Sequence, residues 1–352
     1  MVVSFQLSDL PALGRYFKRH LGGGGQYGSM AVFHWRAVEN YLMPGIINLI
    51  KDDEKIVSTL SNTPKQLLVR GREFVVAEIG DANTDPAYQR QGMLKLLIDQ
   101  STSDALAQGM SGVYSTPSTL TPSLPAFVKK CNFLPLDSLT TKSLAFPLSA
   151  TPFVRQRSHW LLAQFTSTLF GTALQLFVLL AGLSRRLPGS CQIVDVDELP
   201  ADWEQFWDRA KSPYDHIFAR SRAALTWRYF HNPNTYKFYC VVRGGETQGY
   251  LVYRVVAGDD IKRLVIADYL FLPGCDDLLP PLLMHVFRDG LALGVDLIST
   301  WSVEGSASFA AFKSLRFFEK GQLLLIWFQN EFAMSLTSGG SWHFTLGDSD
   351  NV

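Results

Sequence analysis

The sequence predicts an α/β fold built twice. Three observations carry this: strand-like and helix-like hydrophobic periods alternate along the chain, the same order recurs after about residue 220, and 352 residues suffice for two cores. Apolar positions at helical spacing over 10–21 end at four consecutive glycines, 22–25. An apolar run at 46–50, a charged turn at 51–54 and a second run at 56–60 read as a hairpin. A further strand pair is expected over 66–79 around Arg70-Gly71-Arg72. Leu94, Leu97, Ile98 and Leu106 fall on one side of a helix over 92–106, followed by a strand at 113–116 and a helix at 124–131.

The second unit echoes the first. Trp35-Arg36 returns as Trp227-Arg228, the 51–54 turn as Arg243-Gly244-Gly245-Glu246, and the 92–106 helix as 280–293. The stretch 264–272 takes the place of 75–84, and 312–317 matches 128–133. A repeat of this length is a duplicated domain rather than a solenoid unit. The expected division is 1–148, a linker at 149–190, a second domain at 191–334 and a loosely held tail at 335–352.

Composition excludes several classes. Lysine plus arginine, 32, equals aspartate plus glutamate, 32, so no overall field draws in nucleic acid. Cys131, Cys191, Cys240 and Cys275 are scattered, without the spacing of a zinc site or a disulfide framework, and no metal is expected. The N-terminus lacks the basic start and apolar run of a secretory signal, which leaves the cytoplasm as the expected location. Residues 160–183 carry no charge and are long enough to span a bilayer. Gln164, Thr168, Gly171 and Gln175 give that stretch a polar or small stripe, favouring an amphipathic connecting helix over an interfacial helix or a membrane span.

The chemistry concentrates in 77–97: a strand, Asp85-Pro86, then Gln89-Arg90-Gln91-Gly92-Met93-Leu94 opening a helix. The first N–H groups of a helix lack partners within it, and with the positive end of the helix dipole they form a site for a pyrophosphate. Glycine at 92 lets the main chain approach the phosphates, and Arg90 and Lys95 add charge.

This stretch resembles the coenzyme A turn of the GNAT N-acetyltransferase family, Gln/Arg-x-x-Gly-x-Gly/Ala. Gln89 and Gly92 fill their places, while Leu94 departs from the usual small residue. The helix Ala126-Phe127-Val128-Lys129-Lys130-Cys131-Asn132-Phe133 resembles the family's closing element. The resemblance spans 1–145 well and 190–330 faintly. It implies two GNAT-like domains, each a mixed, mostly antiparallel sheet with splayed parallel central strands flanked by helices.

The resemblance further implies transfer of an acetyl or other acyl group from acyl-coenzyme A to a primary amine on a small molecule or peptide. Acetyl-CoA is the donor, held by Ala82, Asn83, Thr84, Gln89, Arg90, Gln91, Gly92, Met93 and Leu94. Glu78, eleven residues before Gln89, matches a family glutamate base; Asp81 is the second candidate, on the opposite face by strand alternation. Val128 stands where many members place a tyrosine acid, and Tyr114 is the substitute. In the second half, Leu272-Pro273-Gly274-Cys275-Asp276-Asp277 occupies the place of the phosphate turn. Its two aspartates would repel an anion, so this half is expected to have lost coenzyme binding, with both acids capping the next helix.

Against this stand the readings of ordinary structure: Glu78 as an ion-paired strand residue, Tyr114 as core, His34, His216 and His231 as structural or exposed, and Trp35 and Trp227 as packing anchors. A catalytically silent acyl-CoA-binding module is the alternative function. An aminoacyl-transfer relative using charged transfer RNA is a third, disfavoured by the neutral charge balance. Peripheral membrane contact through 160–183 stays open.

Overall fold

The computed structural model describes residues 2–20, 30–119, 124–150, 170–174, 176–178, 180, 182, 185–258, 261–337 and 339–350. The glycine run at 22–25 and residues 160–169 of the connecting segment lie outside them. The first half runs β1 (Val2–Ser4), α1 (Leu10–His20), α2 (Met30–Ala37), β2 (Ile46–Asp52), β3 (Lys55–Val69) and β4 (Arg72–Thr84). It continues through α3 (Met93–Ala107), β5 (Gly112–Ser115), α4 (Leu124–Lys130), β6 (Phe133–Pro135) and β7 (Thr141–Pro147). The second half contains β8 (Cys191–Asp195), α5 (Trp203–Ala210), β9 (His216–Phe218), β10 (Lys237–Arg243), β11 (Glu246–Ala257) and β12 (Lys262–Phe271). After α6 (Leu279–Ala292) come β13 (Leu297–Val303), α7 (Ala307–Ser314), β14 (Phe318–Leu323), β15 (Ile326–Phe328), α8 (Glu331–Leu336) and β16 (Trp342–His343).

The predicted helices recur within a residue or two, while β3 and β4 run further than expected. The break expected at 61–65 does not occur, and β3 runs unbroken through Pro64. Its ladder with β2 ends at Asn62 and its ladder with β9 begins at Leu67. Pro64 therefore falls where β3 has a partner on the β4 side only, so its missing N–H breaks no bond on the other side.

Two mixed sheets result. One has the order β1-β2-β3-β4-β5-β15-β6, with β9 joined to β3 and β16 to β9; the other is β14-β7-β13-β12-β11-β10-β8. Each half thus lends a strand to its neighbour. β7, placed with the first unit by sequence, pairs with β13 and β14, and β15 fills the gap between β5 and β6.

The Trp-Arg echo marks where the halves meet. Trp35 stacks on Trp227 with ring centroids 4.4 Å apart, and its Nε1 donates to the Trp227 carbonyl at 3.1 Å. Fragments of the connecting segment pack on the second core: Leu174 and Val178 are buried in it, and Phe177 stacks on Phe146. No helix among the described residues is long and apolar enough to cross a membrane.

The C-terminal segment, expected to be loosely held, is instead buried between the halves. Phe344, Thr345, Leu346, Asp348 and Ser349 are all buried. A Cβ at Gly347 would lie 2.2 Å from the Tyr229 hydroxyl, so only glycine fits that approach. Arg220, fully buried, donates to Asp348 at 2.7 Å, Asp268 at 3.1 Å and Thr345 at 3.1 Å. Replacing it leaves two buried carboxylates short of a partner, which costs about 3–5 kcal/mol. Arg220→Met is expected to lower the unfolding free energy by that amount, read from urea denaturation of the full chain.

Candidate active site

β4 and β5 form the central parallel pair, in register only at Val76↔Gly112, Ala77↔Val113 and Glu78↔Tyr114. Beyond Glu78 they separate. β4 continues through a bulge: Ser61 faces Gly80 and Thr59 faces Asn83, which leaves Asp81 and Ala82 opposite Leu60 alone. Asp81 takes φ 51°, in the left-handed region.

A groove of about 420 Å³ opens along this free edge. Ala82, Asn83, Thr84, Gln89, Arg90, Gly92, Met93 and Leu94 line it, joined by Tyr88, Lys95, Ala126 and Lys130. Of the residues proposed to hold the coenzyme, Gln91 alone is not among the lining groups. Local bonds shape the rim. Asp85 caps the turn Pro86–Tyr88 through the Ala87 N–H, and Gln89 Nε2 donates to the Thr84 carbonyl at 3.1 Å. Gly92 is the N-cap of α3 at φ 83°, a conformation that L side chains adopt at a cost. The opening N–H groups of α3 therefore sit at the groove beside Arg90, Lys95 and Lys130. Tyr16, from α1, donates to Asn83 Oδ1 at 2.7 Å and fixes that side chain.

Where the strands part lies a buried polar cluster. Lys65 Nζ forms ion pairs with Glu78 Oε2 at 2.6 Å and Asp350 Oδ1 at 3.1 Å and donates to the Asp348 carbonyl at 2.9 Å. Thr116 donates to Glu78 Oε1 at 3.0 Å and shares a hydrogen bond with Ser349 at 2.9 Å. Burial pushes Glu78 up to about 7; Lys65 pulls it down and Asp350 pushes it up again. Asp350 falls below the usual carboxylate range because Lys65 and Arg36 outweigh its burial.

The other two catalytic candidates are placed differently. Asp81 was expected on the face opposite Glu78. The bulge reverses the alternation there, and Asp81 joins the cluster bonded by Arg36 and by Ser61 Oγ at 2.6 Å. Tyr114 is fully buried and donates to the Asp348 carbonyl at 3.0 Å, and burial followed by the Glu78 charge drives its pKa well above normal. It anchors the C-terminal segment and is not free to protonate a leaving thiolate. Asp276 and Asp277 do not cap α6: both lie in the short turn Asp276–Leu278, and the N-cap of the helix is Leu278, with no side-chain cap bond. Among the described residues no cluster of His, Cys, Asp and Glu could hold a metal, and all four cysteines are free thiols.

Sequence reasoning missed Lys65, Thr116, Ser349 and Asp350. One signal was available: Ser58, Thr59, Ser61, Asn62, Thr63 and Lys65 follow one another in a strand, and all are buried. A polar run inside a central strand needs partners. The C-terminal partners, nearly 300 residues away, gave no local signal.

Paired sheets, each opening at a parallel strand pair beside a helix, are the architecture of tandem acetyltransferase-like proteins. A family model described as an acetyltransferase (GNAT) domain matches residues 20–133. The chain thus carries a GNAT-family domain in its first half, within a tandem GNAT fold. Among solved structures, N-myristoyltransferase of Saccharomyces cerevisiae with bound myristoyl-CoA aligns at TM-score 0.64 and 12% identity, over 93% of this chain and 82% of that one. A tandem GNAT protein from the clavulanic acid biosynthesis pathway aligns at 0.60 and 12%, over 93% and 97%. A probable N-acyltransferase of Enterococcus faecalis V583 aligns at 0.60 and 13%, over 93% and 71%. At these identities the likeness is one of fold. No curated protein matches the chain in sequence.

Proposed function

We propose that the chain is an N-acyltransferase that moves an acetyl or other acyl group from coenzyme A to a primary amine. The observation that carries this reading is that the groove begins on β4 at Ala82, just past Glu78, where β4 has parted from β5. The α3 N-terminus, with Arg90, Lys95 and Lys130, suits the pyrophosphate. The edge of β4 at 82–84 suits the pantetheine arm, and the thioester then lies toward the opening at Glu78.

The amine nitrogen attacks the thioester carbonyl, the carbon–sulfur bond breaks, and the coenzyme leaves as thiolate. A thiol with a pKa of about 8.5 needs no strong acid to leave. The bulge at Asp81 and Ala82 leaves a main-chain N–H outside the ladder for the oxyanion. The proton released by the amine passes through Ser349 and Thr116 to Glu78, whose raised pKa makes it an acceptor near neutral pH.

Calorimetric titration with acetyl-CoA, followed by release of free thiol in the presence of a panel of primary amines, tests this. One-site binding and amine-dependent thiol release are expected. Binding without turnover on any amine would favour the alternative of a catalytically silent acyl-CoA-binding module, and no binding by folded protein would overturn both.

A further inference from the structure

The Trp-Arg pair of each half meets its copy at a narrow cavity. Trp35, Arg36, Trp227 and Arg228 all line it. The cavity measures about 20 Å³. A water needs about 10–15 Å³ of such space, so there is room for one or two small groups and none for a sugar ring.

Three cations stand in its wall, Arg36, Lys65 and Arg228, and two of them are fully engaged by the protein's own acceptors. Lys65 is held by Glu78, Asp350 and the Asp348 carbonyl. Arg36 bonds Asp81 and lies 3.7 Å from Asp350. Arg228, the counterpart of Arg36 in the repeat, makes no side-chain hydrogen bond among the described residues. Its ion-pair partner, Asp348 Oδ1, lies 3.6 Å from Nη1, beyond hydrogen-bond reach, and the same carboxylate is already bonded by Arg220. The Arg228 side chain is 9% exposed. A guanidinium presents five donors in a planar fork that matches a carboxylate, and a buried donor left unmet costs stability.

The same cavity borders the proposed machinery. Lys65, Ser349 and Asp350 line it, and Ser349 shares a hydrogen bond with Thr116, which bonds Glu78. Arg36 holds Asp81, the residue before Ala82, where the coenzyme groove begins. Asn232 and Tyr236 in the same wall are half-buried, which leaves the cavity a side toward solvent.

We propose that Arg228 receives a carboxylate of the acceptor, and that the acceptor is an amino acid acylated on the amine beside that carboxylate. The proposal rests on the acyl-transfer reading. Arg228 and Ser349 share one small cavity. The carboxylate held by the first and the amine that delivers its proton to the second are therefore only a few bonds apart. A phosphate is disfavoured, because Asp350 in the same wall repels its second charge.

Calorimetric titration of each common amino acid, beside its amide, into the full chain in the presence of coenzyme A tests the assignment without requiring turnover. At least one amino acid is expected to bind saturably, with its amide about tenfold or more weaker, the effect of one charge-assisted hydrogen bond. Arg228→Gln should weaken the amino acid to the level of its amide, and acetyl-CoA titrated into the same variant reports whether it is folded. If that variant does not fold, Arg228→Lys, which keeps a charge beside Asp348 but loses the fork, should still narrow the preference over the amide severalfold. No binding by any amino acid, equal binding of the amide, or an unchanged preference in the folded variant overturns the proposal. Thiol release with amines that carry no carboxylate, without amino-acid binding, sinks the Arg228 assignment alone. Amino-acid binding of the expected pattern without thiol release sinks acyl transfer and leaves a carboxylate site.

Discussion

Glu78→Gln is expected to lower kcat by about 10²–10³, the contribution of one positioned proton acceptor, with little change in KM for acetyl-CoA. The split follows from placement. Glu78 is 2% exposed, absent from the groove lining, and hydrogen-bonded by Thr116, which in turn shares a bond with Ser349. Glutamine keeps the shape and accepts the Thr116 hydrogen bond, but it cannot take a proton. The pH profile separates this role from a structural one. In the native chain kcat should rise with pH through about 7 as Glu78 ionises, because only the ionised carboxylate can receive the amine's proton. In the variant that limb should vanish. A variant with native kcat and an unchanged limb would remove Glu78 from the mechanism.

Arg90→Ala with Gly92→Asp is expected to weaken acetyl-CoA binding by 100-fold or more, read by calorimetry. A Cβ at Gly92 would meet nothing within 4 Å, so crowding is not the cause. The cause is electrostatic: a carboxylate placed at the helix N-terminus competes with the pyrophosphate for the same N–H groups, while the nearby guanidinium is lost. A non-glycine residue at φ 83° also costs about 1 kcal/mol or more of stability, which a modest fall in Tm would report. Unchanged affinity would place the coenzyme elsewhere.

The groove was legible because its parts are local. A strand, a turn with glycine at 92 and an amphipathic helix are consecutive in the chain, and short-range periodicity and backbone preference suffice to read them. Glu78 was singled out by the family resemblance instead, through its offset of eleven residues from Gln89. The roles of Asp81 and Tyr114 were not legible. A single bulge inverts side-chain alternation, and one buried hydrogen bond to Asp348 commits the tyrosine hydroxyl elsewhere. Neither event leaves a mark in composition or spacing.

The sequence by itself determined the α/β order, the duplication and the groove that α3 opens, because hydrophobic period and turn chemistry act over a few residues. It also showed that the second turn is acidic. Only the tertiary structure decided that β7 and β15 exchange sheets, that Trp35 and Trp227 stack where the halves meet, and that residues 344–350 run between the halves to complete the Glu78 cluster. Those contacts join residues up to nearly 300 positions apart. Their stability comes from pairing buried charges across the fold, a term that no local window of sequence contains.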